Sequence, residues 1–214
     1  MIASDTVVDY LVESRSAPDA LQLEMEEHGH RDHIPIVPAE TAALLEVLTA
    51  ATGARRVVEV GTAIGYSTRQ FARALPPGGV VVSFEIDPER HEHARSYLER
   101  AGVLDRTDLR LQDATPGLAE LEPGVYDIAF IDGVKGDYAA HLELVLPLVR
   151  QGGLVIVDNA LMDGTVAAGE ARGHWTQQQV DGMRAFNARV LGDPALAASL
   201  LPVGDGVLLA VKRS

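Results

Sequence analysis

The chain has 214 residues, of which 47% are hydrophobic and 23% are charged, as is typical of a folded globular protein. It contains no cysteine, which excludes disulfides, thiolate metal sites and cysteine nucleophiles, so any metal must be held by oxygen or imidazole. The formal net charge of -13 disfavours a nucleic-acid partner and favours a small-molecule substrate.

No apolar run reaches the roughly 20 residues that span a bilayer, and the first residues lack a basic region followed by an apolar stretch. We therefore expect a cytoplasmic protein with no membrane partner. The length suits one domain over residues 1–214. We divide it into a helical N-terminal cap, residues 1–54, and a Rossmann-like core, residues 55–214.

Three helices are predicted before the first strand, over residues 4–14, 19–28 and 38–52, where apolar residues recur at helical spacing. Residues 29–37 are predicted to form a polar loop. A second long connection is predicted over residues 162–175. Long loops at the ends of strands are where binding residues concentrate.

From residue 55 onwards, short β-branched runs alternate with amphipathic stretches, which indicates βαβ units and a parallel sheet. The predicted strands are 56–60, 80–85, 108–112, 126–131, 154–158, 198–203 and 207–212. The last two are joined by the short turn Gly204-Asp205-Gly206, so they must run antiparallel. The expected fold is α/β, with a seven-stranded, mostly parallel sheet, an antiparallel last strand and helices on both faces.

A glycine turn follows the first predicted strand, with Gly61 and Gly65 in Gly-x-x-x-Gly spacing. Glycine lets the backbone approach a ligand, and the following helix N-terminus presents free N–H groups. Glu85 ends the second strand, where an acid can accept hydrogen bonds from a ribose diol. Asp113 and Ala114 follow the third strand at the same edge, where Asp113 could accept from an exocyclic amine and a base could lie on Ala114.

A second group of polar residues follows the fourth and fifth strands. Asp132 ends the fourth strand, and Asp158 and Asn159 end the fifth. Because neighbouring parallel strands end side by side, these residues offer the oxygen ligands that Mg²⁺ prefers. Lys135, just beyond Asp132, is placed to act as a general base.

Taken together, these segments resemble the cation-dependent O-methyltransferases, which include catechol and caffeoyl-coenzyme A O-methyltransferases and bacterial relatives. The resemblance covers residues 34–212. The motifs that carry it are Glu59-Val60-Gly61-Thr62 with Gly65-Tyr66-Ser67, Phe84-Glu85-Ile86-Asp87, the segment 132–135 with Tyr138, Gly152-Gly153 with Asp158-Asn159, and Pro202-Val203-Gly204-Asp205-Gly206.

The resemblance implies a class I methyltransferase fold, S-adenosylmethionine and a divalent cation, with Mg²⁺ expected, as cofactors, and a homodimer. It implies that Lys135 is catalytic and that Asp132, Asp158 and Asn159 bind the metal. The residues that it implies for the cofactor are Val37, Glu59, Gly61, Thr62, Tyr66, Ser67, Glu85, Ile86, Asp113, Ala114 and Asp132.

The chain departs from the family at one point, because many bacterial members carry Asp-Ala-Asp-Lys where this chain has Asp132-Gly133-Val134-Lys135. The metal aspartate and the lysine are kept, so the difference affects only the local contact to cofactor or substrate. The expected reaction is an in-line transfer of a sulfonium methyl group to a hydroxyl oxygen. A metal with two open positions favours a hydroxylated small molecule such as a catechol.

Three alternatives stay open at this point. The first keeps the chemistry but acts on a hydroxylated wobble uridine of transfer RNA, against which the acidic composition counts. The second is a nicotinamide-binding oxidoreductase, which leaves Asp132, Lys135, Asp158 and Asn159 unexplained. The third is a catalytically silent binding protein, which the retained lysine and ligand set disfavour.

Overall fold

The computed structural model describes residues 5–14 and 16–213, and its centre is a seven-stranded β-sheet. The strands are β1 (Arg56–Val60), β2 (Val80–Glu85), β3 (Thr107–Leu111), β4 (Tyr126–Ile131), β5 (Val149–Val157), β6 (Leu196–Leu201) and β7 (Val207–Lys212). Their order across the sheet is β3-β2-β1-β4-β5-β7-β6. Strands β1 to β5 pair in parallel, and β7 lies antiparallel to both of its neighbours. This topology confirms the fold predicted from the sequence.

Helices cover the sheet and precede it. The α-helices are α1 (Asp5–Ser14), α2 (Ala20–Arg31), α3 (Ala39–Thr52), α4 (Tyr66–Ala74), α5 (Pro88–Arg100), α6 (Ala114–Ala119), α7 (Tyr138–Leu148), α8 (Thr165–Ala168) and α9 (Gln177–Gly192). Short 3-10 turns occur at Leu104–Arg106, Lys135–Asp137 and Met162–Gly164.

The central strands β1, β2, β4 and β5 are buried on both faces, and they consist largely of Val, Ile and other apolar residues rather than alternating apolar and polar residues. One hydrophobic cluster joins Val58 of β1 to Leu142 of α7 and Phe186 of α9. The other joins Val57 of β1 to Phe71 of α4, together with side chains of α2, α3 and α5. Helices therefore pack on both faces, as the sequence predicts.

The first two predicted helices differ slightly from the structure. Residue 4, the predicted start of the first helix, lies outside the described residues, and α1 covers 5–14. Helix α2 continues to Arg31, so the first three residues of the predicted loop 29–37 are helical. Gly29 is buried inside α2, and a Cβ added to it would lie 3.0 Å from Cδ1 of Ile36. The loop that follows α2 therefore packs back onto the helix, and the helix continues through Gly29.

Three strand ends were predicted too late. Strand β5 ends at Val157, one residue before its predicted end. Strand β3 ends at Leu111, because the N–H of Gln112 turns back to the carbonyl of Arg110 at 3.0 Å. Strand β6 ends at Leu201, because the next residue, Pro202, has no N–H to donate to the ladder.

Two connections contain more regular structure than predicted. Strand β5 begins at Val149, five residues before the predicted start, and Val149 pairs with Tyr126 across a register irregularity in β4. Such an irregular start leaves no alternating pattern in the sequence. The predicted loop 162–175 contains the turn Met162–Gly164 and the short helix α8.

The sheet register brings three chain segments together at one edge. Val60 pairs with Ile131, and Ile131 pairs with Val157. The next residues continue the contact, because the N–H of Asp132 donates to Val60 O at 2.9 Å and that of Asp158 to Ile131 O at 3.1 Å. The residues that follow β1, β4 and β5 are therefore neighbours.

Candidate active site

A cavity of about 500 Å³ opens at the carboxyl ends of β1, β2, β4 and β5. Its walls include residues that follow each of these strands and residues from three connections, 35–38, 163–175 and the β6–β7 turn. Open α/β sheets bind ligands at this edge. The cavity has the size expected for a small-molecule site.

The glycine turn lines the cavity and requires a glycine at position 61. Gly61 has a φ of 96°, and a Cβ added there would lie 2.2 Å from the backbone oxygen of Asp132. Ala63 also has a positive φ, 46°, although it carries a side chain. The close approach places the turn directly against the start of the loop after β4.

Glu85 is held in place by backbone donors. Its Oε2 accepts the N–H of Ala63 at 2.7 Å, and its Oε1 accepts the N–H groups of Ile86 and Asp87, both at 3.0 Å. A carboxylate has about four lone-pair positions, so one acceptor position stays free, on Oε2. Glu85 lines the cavity with a fixed orientation and can accept one further hydrogen bond there.

Glu59 lies behind the glycine turn and does not line the cavity. Its carboxyl accepts hydroxyl hydrogen bonds from Ser67 at 2.6 Å, Thr68 at 2.5 Å and Ser83 at 2.6 Å, while Thr62 contacts Ser83 at 2.5 Å. Burial raises the pKa of Glu59 from 4.5 to about 7, although the hydroxyl donors oppose the rise. Three predicted cofactor residues, Glu59, Thr62 and Ser67, thus form a network that supports the turn.

Tyr66 and Val37 also lie outside the cavity wall. The hydroxyl of Tyr66 donates to Glu26 at 2.6 Å and accepts from Gln22 at 3.1 Å, which ties α4 to α2. Val37 is buried in the hydrophobic cluster on that side. The residues beside it, Pro35, Ile36 and Pro38, line the cavity instead.

The other predicted cofactor residues lie on the cavity wall. Ile86 is 66% exposed, which is unusual for an isoleucine and leaves an apolar surface at the rim. Ala114 is buried at the start of α6, and Asp113 caps that helix by accepting the N–H of Thr115 at 2.7 Å. Asp113 therefore has a structural role, and it also faces the cavity.

Lys135 lies among the residues predicted to bind metal. Its Nζ lies 3.1 Å from Asp132 Oδ1, 2.5 Å from Asn159 Oδ1 and 2.8 Å from the hydroxyl of Tyr138. That hydroxyl in turn donates to the backbone oxygen of Asp158 at 3.2 Å. Asn159 has a φ of 56°, a strained conformation for a residue other than glycine and common at functional sites.

Asp158 is a buried acid with an unused oxygen. It is 1% exposed, and its Oδ1 has no hydrogen-bond partner in the described residues. Burial is the main cause that raises the pKa of Asp158 well above its ordinary value, and the nearby charge of Asp132 is the second. An unpartnered buried carboxyl beside a second carboxylate and an amide oxygen is a donor set that fits a hard divalent cation. Within 5–14 and 16–213, no three His, Cys, Asp or Glu side chains cluster as metal ligands, so Asn159 is needed to complete the set.

Another part of the cavity wall, next to Asn159, combines carboxylates with aromatic rings. Asn159 Nδ2 donates to Asp205 at 3.3 Å, and Trp175 Nε1 donates to Asp163 at 3.4 Å. The ring of His174 lies 4.1 Å from that of Trp175. Burial, and next the hydrogen bond with Asp163, raise the pKa of Asp205 to about 6.

Several cavity residues were missed from the sequence, chiefly Asp205, Asp163 and His141. Asp205 was predicted only as part of the β6–β7 turn and of one motif of the family resemblance, with no role at the site. The backbone oxygen of Asp205 accepts the N–H of Leu161 at 2.9 Å, which ties that turn to the segment after β5. The Gly204-Asp205-Gly206 motif was the one feature of the sequence that could have pointed to Asp205. The order of residues along the chain, however, does not indicate which edge of the sheet a turn reaches.

A family model described as O-methyltransferase matches residues 15–213. The chain belongs to the O-methyltransferase family. It is 30% identical over 216 residues to "Probable caffeoyl-CoA O-methyltransferase 2" of Dictyostelium discoideum, covering 98% of this chain and 92% of that protein. It is 35% identical over 177 residues to "Catechol O-methyltransferase" of Niastella koreensis, covering 79% and 78%.

Solved structures agree with the family. The O-methyltransferase from Bacillus cereus, solved in complex with SAH, superposes with a TM-score of 0.84 at 30% identity and covers 100% of both chains. These similarities confirm the class I methyltransferase fold and the enzyme class, a S-adenosylmethionine-dependent O-methyltransferase. They give no support to the nicotinamide-dependent oxidoreductase. In the described residues, no helix of this O-methyltransferase is both long and apolar enough to cross a bilayer.

Proposed function

We propose that this O-methyltransferase methylates a hydroxyl of a small, catechol-like acceptor with the help of a divalent cation, for which Mg²⁺ is the expected ion. One observation carries the proposal. Three oxygen-bearing side chains and Lys135 meet in the same cavity as the glycine turn and Glu85. Cofactor, cation and acceptor would thus share a single space.

We propose that the cofactor occupies the part of the cavity between the glycine turn and α6. The free acceptor position of Glu85 suits a ribose hydroxyl, and the exposed side chain of Ile86 would be covered by a flat base. Ala114 offers an apolar contact, and Asp113 an acceptor for an exocyclic amine. Residues behind the turn would act indirectly by fixing its shape, as the network around Glu59 suggests.

Asp132, Asp158 and Asn159 are the residues that would hold the cation. Asp158 contributes the unpartnered buried oxygen, and Asp132 and Asn159 contribute oxygens that now contact Lys135 Nζ. When bound, a divalent cation stabilises the anionic form of an acceptor hydroxyl and so lowers its pKa.

Lys135 is the proposed general base. Tyr138 is buried and orients the Lys135 side chain through the 2.8 Å contact to Nζ, while its own hydroxyl is fixed on Asp158 O. In its neutral amine form, Lys135 would accept the proton of the acceptor hydroxyl and become the ammonium, which leaves an anionic oxygen for methyl transfer. General-base catalysis of this kind contributes roughly 10²- to 10⁴-fold.

The part of the cavity wall that includes Asp163, His174, Trp175 and Asp205, which we call the acceptor wall, favours a flat molecule without phosphates. Trp175 offers an aromatic face, and Asp137, Asp163 and Asp205 place carboxylates on the wall. These carboxylates would repel a phosphate group, which counts against transfer RNA as acceptor, as does the net charge of the chain. A neutral catechol meets no such repulsion.

The proposal is tested by incubating the purified protein with S-adenosylmethionine and Mg²⁺ and with catechol, phenol or bulk transfer RNA in parallel. We expect O-methylated catechol by mass spectrometry, much less anisole from phenol, and no methylated nucleoside. Asp158→Ala should abolish the product, and Asp105→Ala, an exposed aspartate far from the cavity wall, should not. Methylated transfer RNA with unmodified catechol would reject the proposal.

The homodimer implied by the family resemblance is also a proposal. Size-exclusion chromatography with light scattering tests it directly. A mass of twice 22.8 kDa is expected, and a monomer at working concentrations would contradict it.

A further inference from the structure

The side-chain amide of Asn159 can act as a ligand in only one orientation. It carries an acceptor oxygen, Oδ1, and a donor nitrogen, Nδ2, and a half-turn of the amide exchanges the two atoms. Only Oδ1 can bind a cation, because Nδ2 carries two protons and its lone pair is delocalised into the amide. In the structure, Oδ1 lies 2.5 Å from Lys135 Nζ, and Nδ2 donates to Asp205 Oδ2 at 3.3 Å. Each end of the amide is therefore held by a different residue.

These two contacts differ in whether they are compatible with a bound cation. Lys135 contacts Oδ1, which is the atom that the cation would use. A cation and the Lys135 ammonium repel each other at that distance, so this contact weakens when Oδ1 becomes a ligand. Asp205 contacts Nδ2, which does not bind the cation. Of the two contacts, the one to Asp205 can therefore keep the amide in its ligand orientation.

The β6–β7 turn holds Asp205 at a fixed position relative to Asn159. The backbone oxygen of Asp205 accepts the N–H groups of Leu161 at 2.9 Å and of Met162 at 3.1 Å. The turn also approaches this segment closely, because a Cβ added to Gly206 would lie 2.5 Å from Cβ of Leu161. Two of the residues that follow Asn159 are thus bound to the turn that carries Asp205. The contact between the two side chains is built into the backbone.

We propose that Asp205 is a positioning residue for the cation site, because its carboxylate holds Nδ2 of Asn159 and so presents Oδ1 to the cation. The inference rests on the proposed function, in which Asn159 is a cation ligand. It gives the aspartate of the Gly204-Asp205-Gly206 turn a role at the site, although Asp205 acts through Asn159 and does not itself bind the ion.

The test measures the binding of Mn²⁺, as a probe for the Mg²⁺ site, by electron paramagnetic resonance without cofactor or acceptor. We expect Asp205→Ala to weaken Mn²⁺ binding about tenfold, as for one lost hydrogen bond to a charged group. Asp205→Asn keeps an acceptor oxygen and should restore most of the affinity. The matched control is Asp163→Ala, which removes a carboxylate of the acceptor wall that accepts from Trp175, and its effect should be much smaller.

A double-mutant cycle tests whether Asp205 acts through Asn159. In the Asn159→Ala background, Asp205→Ala should cause no further loss of Mn²⁺ affinity, because no amide is left to orient. An equal loss in both backgrounds would mean that Asp205 acts independently of Asn159, and it would overturn the inference.

The remaining outcomes separate the inference from the proposed function. Unchanged affinity in Asp205→Ala, an equal loss in Asp163→Ala, or no rescue by Asp205→Asn overturns the inference while the proposed function stands. If the wild-type protein binds Mn²⁺ no better than Asp158→Ala, the proposed function fails and the inference fails with it.

A second measurement uses only the wild-type protein, so it does not depend on the folding of a variant. The chain has two asparagines, Asn159 and Asn187, and ¹⁵N labelling at asparagine gives two pairs of side-chain amide signals, assigned by sequential correlation. Mg²⁺ should shift the Asn159 pair, while one Nδ2 proton keeps the downfield position of a hydrogen bond to a carboxylate. Movement of both Nδ2 protons to the position of a solvent-exposed amide at saturating Mg²⁺ would overturn the inference.

Discussion

Replacing Glu59 with Gln should change how stability depends on pH. The pKa of Glu59 rises from 4.5 to about 7 on folding, because the carboxyl is fully buried. Between these values the folded state keeps a proton that the unfolded state releases, so stability falls as pH rises. At 1.36 kcal/mol per pKa unit, the full loss is about 3 kcal/mol, and it is present above pH 7.

The assay is urea unfolding of wild type and Glu59→Gln at pH 5 and pH 8. From pH 5 to pH 8, the free energy of unfolding of wild type should fall by about 2.5 kcal/mol relative to that of Glu59→Gln, because glutamine does not titrate. Glu120→Gln, at an exposed glutamate, is the control and should show no such change. A constant difference between pH 5 and 8 would refute the reasoning and mean that the hydroxyl donors of Ser67, Thr68 and Ser83 keep the carboxylate ionised.

Three further predictions concern the cavity. Gly61→Ala should weaken S-adenosylhomocysteine binding at least tenfold by calorimetry, because its Cβ meets Asp132 O, whereas Gly102→Ala, also at positive φ but in open space, should not. Trp175→Ala should raise KM for catechol with unchanged S-adenosylhomocysteine affinity; a weaker cofactor affinity would place the indole elsewhere. Lys135→Met should lower kcat by roughly 10²- to 10⁴-fold while the cofactor still binds, and an unchanged kcat would exclude Lys135 as the base.

The sheet could be predicted from the sequence because its strands are short β-branched runs bounded by glycine, proline and acidic residues. The tight turn at Gly204-Asp205-Gly206 fixed the one antiparallel strand. The boundaries that were wrong depend on tertiary contacts. Strand β5 begins at Val149 because of its pairing with Tyr126, and α2 extends past Gly29 because Ile36 packs on it.

The candidate site was predictable where it follows directly from the strand ends. Asp132 and Asp158 directly follow two neighbouring parallel strands, so they lie close together regardless of the conformation of the loops. The sequence could not distinguish a side chain that faces the cavity from one that lies behind it. Glu59 is an example, because it lies in β1 two residues before Gly61 and is fully buried. Nor could the sequence bring in Asp205 or His141, which reach the cavity from a distant hairpin and from the face of a helix.

The central claim is that the oxygens of Asp132, Asp158 and Asn159 hold a cation needed for methyl transfer to a catechol. The most direct measurement is the initial rate of catechol methylation by protein stripped with EDTA, followed while Mg²⁺ is added back. The rate should be near zero without the ion, recover with added Mg²⁺, and stay near zero in Asp158→Ala at every concentration. Full turnover by the stripped protein, or equal rates in Asp158→Ala and wild type, would contradict the account.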